Sequence, residues 1–261
     1  MFKTLKKFDA ISLTEMDARM GSIGLDRMEN KYIVHTSMLD KILKELQNDY
    51  VALEIKDLRE FKYHNMYFDT KDYKFFHEHG KGYKLRTKLR TRKYVDSKIA
   101  FFEFKQRYYE NVRKFKFDIK VSNHGKFSKR CKNFTEQLYK STYQKKLNGE
   151  ISPSLTTEYI RFTLCSKKND ERITFDSKVT FTNARNKKTR PYMLSDIILV
   201  ESKSASETHH AQKVFEKLGI GKMQGVSKYC LGLLCEEAVT TKYKRFEHVL
   251  QHIHKIQQNT I

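Results

Sequence analysis

The sequence predicts an α+β protein built around a closed antiparallel eight-stranded β-barrel, with helices packed on the outside. Three observations support this prediction. About eight segments alternate charged and apolar side chains with the period of two that is typical of strands. Only a few helical segments accompany them. An open sheet of this size would leave long unpaired edges, which closure into a barrel removes.

The first predicted strand, RMENKYIV, covers residues 27–34 and is followed by a helix. Residues before 25 give no clear pattern. The helix is indicated by apolar residues at helical spacing, namely Leu39, Ile42, Leu43 and Leu46. A second strand is predicted over residues 61–69, and a short helical turn begins within 69–73.

The strongest pattern lies between residues 82 and 121, where three consecutive strands each carry a charged row and an apolar row. The charged rows are Lys84, Arg86, Lys88, Arg90 and Arg92, then Glu103, Lys105 and Arg107, then Lys114, Lys116, Asp118 and Lys120. Arginine at this density suits bidentate contacts with phosphate or carboxylate oxygens. The alternative is an ordinary sheet whose outer face is solvated. The pattern predicts a meander with one strongly cationic side.

The rest of the chain supplies three further strands and several helices. The predicted elements are a basic helix over 128–147, strands over 156–164, 171–181 and 196–204, and helices over 211–218, 226–238 and 241–257. Arg161, Glu201 and Lys203 stand at strand positions where an apolar interior would exclude them. We therefore expect a barrel with a polar lumen and an apolar outer face that the helices cover.

The composition suits a cytoplasmic protein with phosphate-rich partners. Lys and Arg number 52 against 31 Asp and Glu, which gives a formal net charge of +21. Such an excess favours polyanions or anionic membrane surfaces. The four cysteines show no CxxC spacing and suit free thiols in a reducing compartment. We find no signal-peptide core and no apolar run long enough to span a membrane, and we expect one domain over 1–261 with a core near 25–230.

Several other functions are not supported by the sequence. We find no Walker-type glycine-rich loop and no protein-kinase signature. The pairs His209–His210 and His248/His252 lack a partnered carboxylate motif, so solvated histidines are expected there rather than a metal site. The many Phe and Tyr residues lie mostly on apolar strand faces, where core packing explains them better than base stacking. No nucleic-acid partner is expected.

A set of short motifs recurs along the chain. They are R-x-E-x-K-Y at 27–32, YFDT at 67–70, K-L-R-T-R-x-Y at 88–94, F-x-E-x-K at 101–105, the pair Lys114 and Lys116, Y-x-R at 159–161, RITFD at 172–176, V-E-S-K at 200–203 and S-K-Y at 227–229. In this order and spacing they resemble the VTC-type polyphosphate polymerase domain. That domain belongs to the CYTH, or triphosphate tunnel metalloenzyme, superfamily.

The resemblance implies a closed tunnel whose basic side chains hold a triphosphate. The implied phosphate ligands are Lys31, Arg90, Arg92, Lys105, Lys114, Lys116, Arg161, Arg172, Lys203 and Lys228. Of these, the implied catalytic residues are Lys31, Arg90, Arg92, Lys105, Arg161 and Lys203. Glu201 matches the metal-ligand position of the family, with Glu29 and Glu103 as further candidates for Mn²⁺ or Mg²⁺.

One departure from the superfamily pattern bears on the reaction. The superfamily opens with E-x-E-x-K, whereas Arg27 stands here in place of the first Glu. This weakens the case for a hydrolytic triphosphatase and suits the polymerase branch. We therefore expect a metal-dependent polymerase that moves the γ-phosphate of ATP onto polyphosphate and releases ADP. The alternatives are a tunnel triphosphatase and a non-catalytic polyphosphate- or RNA-binding module.

Overall fold

The computed structural model describes residues 3–21, 28–109, 111–168, 171–186, 188–205, 210–241 and 243–258, and within them one sheet of eleven strands and seven α-helices. The strands are β1 (Ala10–Ile11), β2 (Met28–His35), β3 (Tyr50–Leu53), β4 (Phe61–Thr70), β5 (Leu85–Tyr94), β6 (Ile99–Tyr108), β7 (Asn111–Ile119), β8 (Ile151–Ser166), β9 (Glu171–Asn183), β10 (Tyr192–Met193) and β11 (Ile197–Ser204). The helices are α1 (Leu13–Gly21), α2 (Leu39–Leu46), α3 (Lys74–Gly80), α4 (Lys129–Tyr143), α5 (His210–Lys217), α6 (Lys228–Cys235) and α7 (Lys244–Gln258).

Eight long strands form the main path of the sheet, in the order β2-β11-β9-β8-β4-β5-β6-β7. Their pairings are antiparallel throughout. These eight are the strands that the alternation of charged and apolar residues predicts. The short strands β1, β3 and β10 were not predicted; β1 pairs with β3 in parallel, β3 pairs with β8, and β10 pairs with β9.

The predicted closure of the barrel is wrong. Within the described part of the chain, the path ends at β2 on one side and at β7 on the other, and these two strands do not pair. Strand β7 exposes Arg113, Lys114 and Lys116 along this edge. Charged side chains on an edge strand disfavour the addition of another strand. The edge is therefore protected by charge instead of by closure.

The open sheet is nevertheless strongly curved. Strands β2 and β6 stand six strand spacings apart along the path, which would be about 29 Å in a flat sheet. Even so, the two side chains interact electrostatically. Burial lowers the pKa of Lys105 on β6 and the charge of Glu29 on β2 opposes this, while Lys105 helps to lower the pKa of Glu29. The sheet must curl to bring these side chains within electrostatic reach. The charged rows of the eight strands thus line one concave face.

Helices cover most of the opposite, convex face, as predicted. Helices α2 and α5 pack on the β2 side, where the rings of Tyr32 and Phe215 stack at 4.3 Å. Helix α4 covers β5 to β7 through a cluster that includes Phe102, Phe104 and Tyr139. The helix predicted for 128–147 ends earlier, because Gln144 takes a left-handed conformation with φ 53° and closes it.

Helices α6 and α7 take a different position from the one predicted. They pack against one end of the concave face, where β strands present apolar side chains such as Ile33, Phe181 and Leu199. Phe181 reaches this side because β9 carries a bulge at Lys178, whose φ of 51° shifts the register between β8 and β9. The concave face is therefore charged along its centre and closed by helices at one end.

Candidate polyanion site

The first charged cluster joins strands β2 and β11. Their register places Lys31 opposite Glu201 and Glu29 opposite Lys203. Lys31 lies 2.7 Å from Glu29, while Lys203 lies 2.7 Å from Glu201 and 3.5 Å from Glu29. Burial raises the pKa of both carboxyl groups, but the surrounding lysines outweigh it, so the pKa of Glu29 falls to about 2 and that of Glu201 falls well below its ordinary value. Both carboxylates are ionised and share one ammonium group.

The second cluster lies on strands β5 to β7 around Glu103, whose side chain is only 2% exposed. The Nε and Nη2 atoms of Arg90 both lie 2.6 Å from Glu103 Oε2, and the Nζ of Lys114 lies 3.0 Å from Oε1. Burial would raise the pKa of Glu103, but Arg90, Arg92 and Lys114 hold it far below its ordinary value. Each oxygen of this carboxylate is therefore paired with a cation.

The third cluster is centred on Asp176 in β9. Arg161 on β8 donates two parallel hydrogen bonds to its carboxylate, at 2.5 and 2.7 Å. Lys228, the first residue of α6, forms an ion pair with the same carboxylate. Asp176 is 1% exposed. This buried acid fixes the guanidinium of Arg161 and also attaches the start of α6 to the sheet.

Arg92 differs from these arginines because its hydrogen-bond partners are neutral. Its Nε donates to Asn65 at 2.9 Å and its Nη2 donates to the hydroxyl of Tyr159 at 3.4 Å. The guanidinium also lies 5.4 Å from the ring centre of Tyr63. Neutral groups therefore orient the positive charge of Arg92, and among the described residues no carboxylate is hydrogen-bonded to it.

Two lysines of the concave face lie in surroundings that disfavour their charged form. Burial, followed by neighbouring cations such as Lys31, lowers the pKa of Lys88 to about 7 and that of Lys105 to about 8. Lys88 donates to Ser227 at 2.8 Å. Among the described residues, Lys105 has no hydrogen-bond or ion-pair partner. A bound polyanion would relieve this repulsion.

The start of α6 contacts two lysines of the concave face, Lys88 and Lys31. Ser227 caps the helix by accepting from the backbone of Cys230, and it also accepts from Lys88. Lys31 donates to the carbonyl oxygen of Val226 at 3.2 Å. Both lysines therefore contact neutral groups of this segment in the ligand-free protein.

We call the charged concave surface the cationic face. Its cations are Lys31, Lys88, Arg90, Arg92, Lys105, Lys114, Arg161, Arg172, Lys203 and Lys228, and its acids are Glu29, Glu103, Asp176 and Glu201. Nine of the ten predicted phosphate ligands lie on it. Lys116 lies at its exposed edge, with its Nζ 4.6 Å from the ring centre of Phe101. Arg27 lies outside the described residues, and the role of each ligand stays a prediction.

Two members of the cationic face were not predicted to be site residues. Lys88 belongs to the charged row of β5, so the alternation indicated its face but not its contact with Ser227. Asp176 ends the RITFD motif, and its even spacing from Arg172 places it on the same face. Its partner Lys228 lies far away in the chain, so no local pattern predicts the ion pair.

The described residues contain no group of three or more His, Cys, Asp or Glu side chains that could hold a metal ion. Glu29 and Glu201 form the only pair among the three predicted metal ligands that shares a partner, whereas Glu103 is engaged by Arg90 and Lys114. The histidines suggest no alternative in the described residues. His210 lies 3.3 Å from Asp49, His248 contacts backbone carbonyls, and His209 lies outside the described residues.

No described helix is long and apolar enough to cross a membrane.

Three kinds of comparison relate this chain to known proteins. A comparison with curated protein sequences gives no match. Among solved structures, the PH1819 protein of Pyrococcus horikoshii is 14% identical, covering 80% of this chain and 99% of that one with a TM-score of 0.42. The PH1012 protein of the same organism is 11% identical, with coverages of 74% and 90% and a TM-score of 0.39. The model of the VTC domain family matches residues 26–236. The chain therefore belongs to the VTC domain family.

Proposed function

We propose that this protein is a metal-dependent polyphosphate polymerase, which transfers the γ-phosphate of ATP to a growing polyphosphate chain and releases ADP. The observation that carries the proposal is the excess of positive charge on the cationic face, where the cations named above outnumber the carboxylates ten to four. Phosphate oxygens are the ligands that would balance it. Membership of the VTC domain family supports phosphoryl transfer as the reaction class.

The arrangement of the arginines suits phosphoryl transfer. This reaction needs in-line positioning of the reactants and stabilisation of charge on the transferring oxygens, with little covalent chemistry from the protein. Arg90 is oriented by Glu103 and Tyr67, and Arg161 by Asp176, before any substrate arrives. Because these side chains are already ordered, less conformational entropy is lost when they bind phosphate. Lys31, Lys105 and Lys203 would add positive charge along the chain of phosphates.

Glu29 and Glu201 fit a hard divalent cation such as Mn²⁺ or Mg²⁺. Both carboxylates are ionised, 27% exposed and within reach of the same lysine, Lys203. Such ions bind carboxylate oxygens and need only one or two of them when phosphate and water supply the rest. When bound, the ion would neutralise charge on the phosphate oxygens. Glu103 is left out of this proposal because its side chain is only 2% exposed and both of its oxygens are paired, with Arg90 and with Lys114.

Incubation with ATP and Mn²⁺ tests the proposal. The polymerase is expected to produce long polyphosphate, visible on a gel, together with one ADP for each phosphate added. Phosphate released without any chain would indicate the triphosphatase instead. No turnover, combined with tight polyphosphate binding, would indicate a non-catalytic binding module. Glu201→Gln in the same assay is the control that ties any activity to this site.

A further inference from the structure

A cavity lies outside the cationic face, and it has the size and chemistry of a ligand site. It is bounded by α3, the start of β5, the end of α4 and the segment before α7, and its volume is about 630 Å³. Ligand pockets commonly enclose about 300–1,000 Å³. The cavity lies on the opposite side of β5 from the cationic face, where the proposed reaction would take place. Leu85 lines the cavity, whereas its neighbours Arg86 and Lys88 point to the concave side.

The floor of this cavity contains a buried acid that forms no ion pair with a cation among the described residues. Glu78 is 6% exposed and accepts hydrogen bonds from the backbone N–H of Thr87 at 3.3 Å and from the hydroxyl of Tyr143 at 3.4 Å. The nearby Lys74 donates to the hydroxyl of Tyr139 at 2.7 Å instead. Burying a carboxyl group without a cationic partner costs free energy. Such a group facing a cavity is more typical of a binding site than of a structural core.

The walls of the cavity are aromatic and its rim is basic. Tyr83, Tyr143 and Tyr243 line it, and Tyr83 is 52% exposed, with the Nζ of Lys81 5.9 Å from the centre of its ring. Lys81 and Lys145 are both exposed at the rim. Tyrosine rings stack on planar ring systems, and lysines bind phosphate as point charges. The cavity therefore combines groups for an aromatic ring, for a polar ring edge and for an anion.

We propose that this cavity binds a nucleoside phosphate. The base would stack on the exposed ring of Tyr83, and its polar edge would bond to Glu78 at the floor. Lys81 and Lys145, with Lys74 behind them, would hold the phosphates at the rim. Glu78 suits a base edge because a carboxyl group accepts from an exocyclic amine when ionised and donates to a ring nitrogen when protonated.

Binding of ADP to the full-length protein, measured by calorimetry, tests this site. The Arg90→Ala/Arg92→Ala double variant weakens the cationic face, so the remaining binding reports on the cavity. In that background, Lys145→Glu is expected to weaken ADP binding by about tenfold or more. Lys146→Glu is the matched control, since Lys146 is also exposed but does not line the cavity. If the two variants bind ADP equally well, the proposed site is wrong.

Two further arms test the ring contact. Tyr83→Ala is expected to weaken ADP binding severalfold. Tyr108→Ala should leave it unchanged, because Tyr108 is also exposed, at 46%, but lies outside the cavity. Inorganic pyrophosphate carries the charge without the ring, so it should bind much more weakly than ADP. Pyrophosphate binding as tight as that of ADP would overturn the proposal in favour of a simple anion patch. The Lys145→Glu and Tyr83→Ala substitutions, made singly in the wild-type chain, leave the cationic face intact, so polymerase assays on these single variants separate this inference from the proposed function.

Discussion

Two acidic clusters on the same concave face differ in how much of their charge is free. Glu103 is 2% exposed and each of its oxygens lies against a cation. Glu29 and Glu201 are each 27% exposed; Lys31 and Lys203 engage the two oxygens of Glu29, whereas the ion pair of Glu201 in the described residues uses Oε1 alone. A buried carboxylate whose oxygens are both engaged can orient its neighbours but has little capacity for another ligand. We therefore expect Glu103 to hold Arg90 in place, and we expect the more exposed β2–β11 pair, Glu201 above all, to accept the proposed metal ion.

The largest expected effect follows from Glu201→Gln. The amide keeps the size of the side chain but removes the ionised oxygen that the proposed metal needs. We expect turnover of ATP to fall by at least about 100-fold, while polyphosphate still binds because the surrounding cations remain. A product assay and a binding titration on the same preparation check both parts. Full activity in this variant would contradict the metal assignment.

Glu103→Gln should instead affect stability. Arg90 and Lys114 would lose their shared carboxylate, so we expect the free energy of unfolding to fall by about 2–3 kcal/mol. Urea unfolding measures this loss. Glu136→Gln on the exposed surface of α4 is the control and should stay within about 0.5 kcal/mol of the wild type. Equal stability of the two variants would show that Glu103 does not hold this region together.

The arginines provide a related contrast. Arg161 is already paired with a carboxylate, whereas the partners of Arg92 are neutral. We expect Arg92→Ala to weaken polyphosphate binding by about 10- to 100-fold, because a charge-assisted hydrogen bond is lost. Arg161→Ala should cost less, since part of its charge is balanced by Asp176. A fluorescence titration with labelled polyphosphate compares them, and the reverse order would contradict the role of the pairing.

A smaller effect is expected from pH. In the proposed function the charged form of Lys88 would bind phosphate, and burial lowers the pKa of Lys88 to about 7 in the ligand-free protein. Affinity for long polyphosphate, whose internal phosphates stay ionised, should therefore fall as the pH rises from 6 to 8. The ordinary pKa of a lysine is 10.5, so above pH 7 the Lys88 side chain is protonated in the unfolded chain but loses its proton in the folded protein. The unfolded state then binds more protons, and Lys88 should make the ligand-free protein more stable as the pH rises above 7. A Lys88→Gln variant that keeps both pH dependences would show that another group is responsible.

The sequence was most informative where the pattern is local. Alternation along each strand predicted the eight strands of the main path and placed Lys31, Arg90 and Glu201 on one face. Closure was predicted wrongly because it depends on whether β2 and β7 meet, which no local pattern encodes. Strands β1 and β3 are two and four residues long, and β3 is buried throughout, so neither shows alternation.

The missing parts of the site depend on tertiary contacts. The ion pair of Asp176 with Lys228 and the hydrogen bond of Lys88 with Ser227 each join segments that are distant in the chain. The cavity around Glu78 is assembled from four separate segments. Such groups are defined only once helices α6 and α4 have packed on the sheet. The sequence could predict which residue types face inward, but not which of them neutralise one another.

Competition between polyphosphate and RNA tests the central claim, which is that the cationic face binds a chain of bare phosphates. Labelled polyphosphate is titrated with the protein in the presence of single-stranded RNA of equal charge, at several salt concentrations. We expect affinity to fall with salt, by about −0.7 in log–log slope for each phosphate contacted. RNA should compete poorly, because its bases and riboses add bulk between the phosphates, whereas a chain of bare phosphates can follow the concave cationic face closely. Equal competition by RNA would contradict the account, since it would mean that a non-selective basic surface binds both chains.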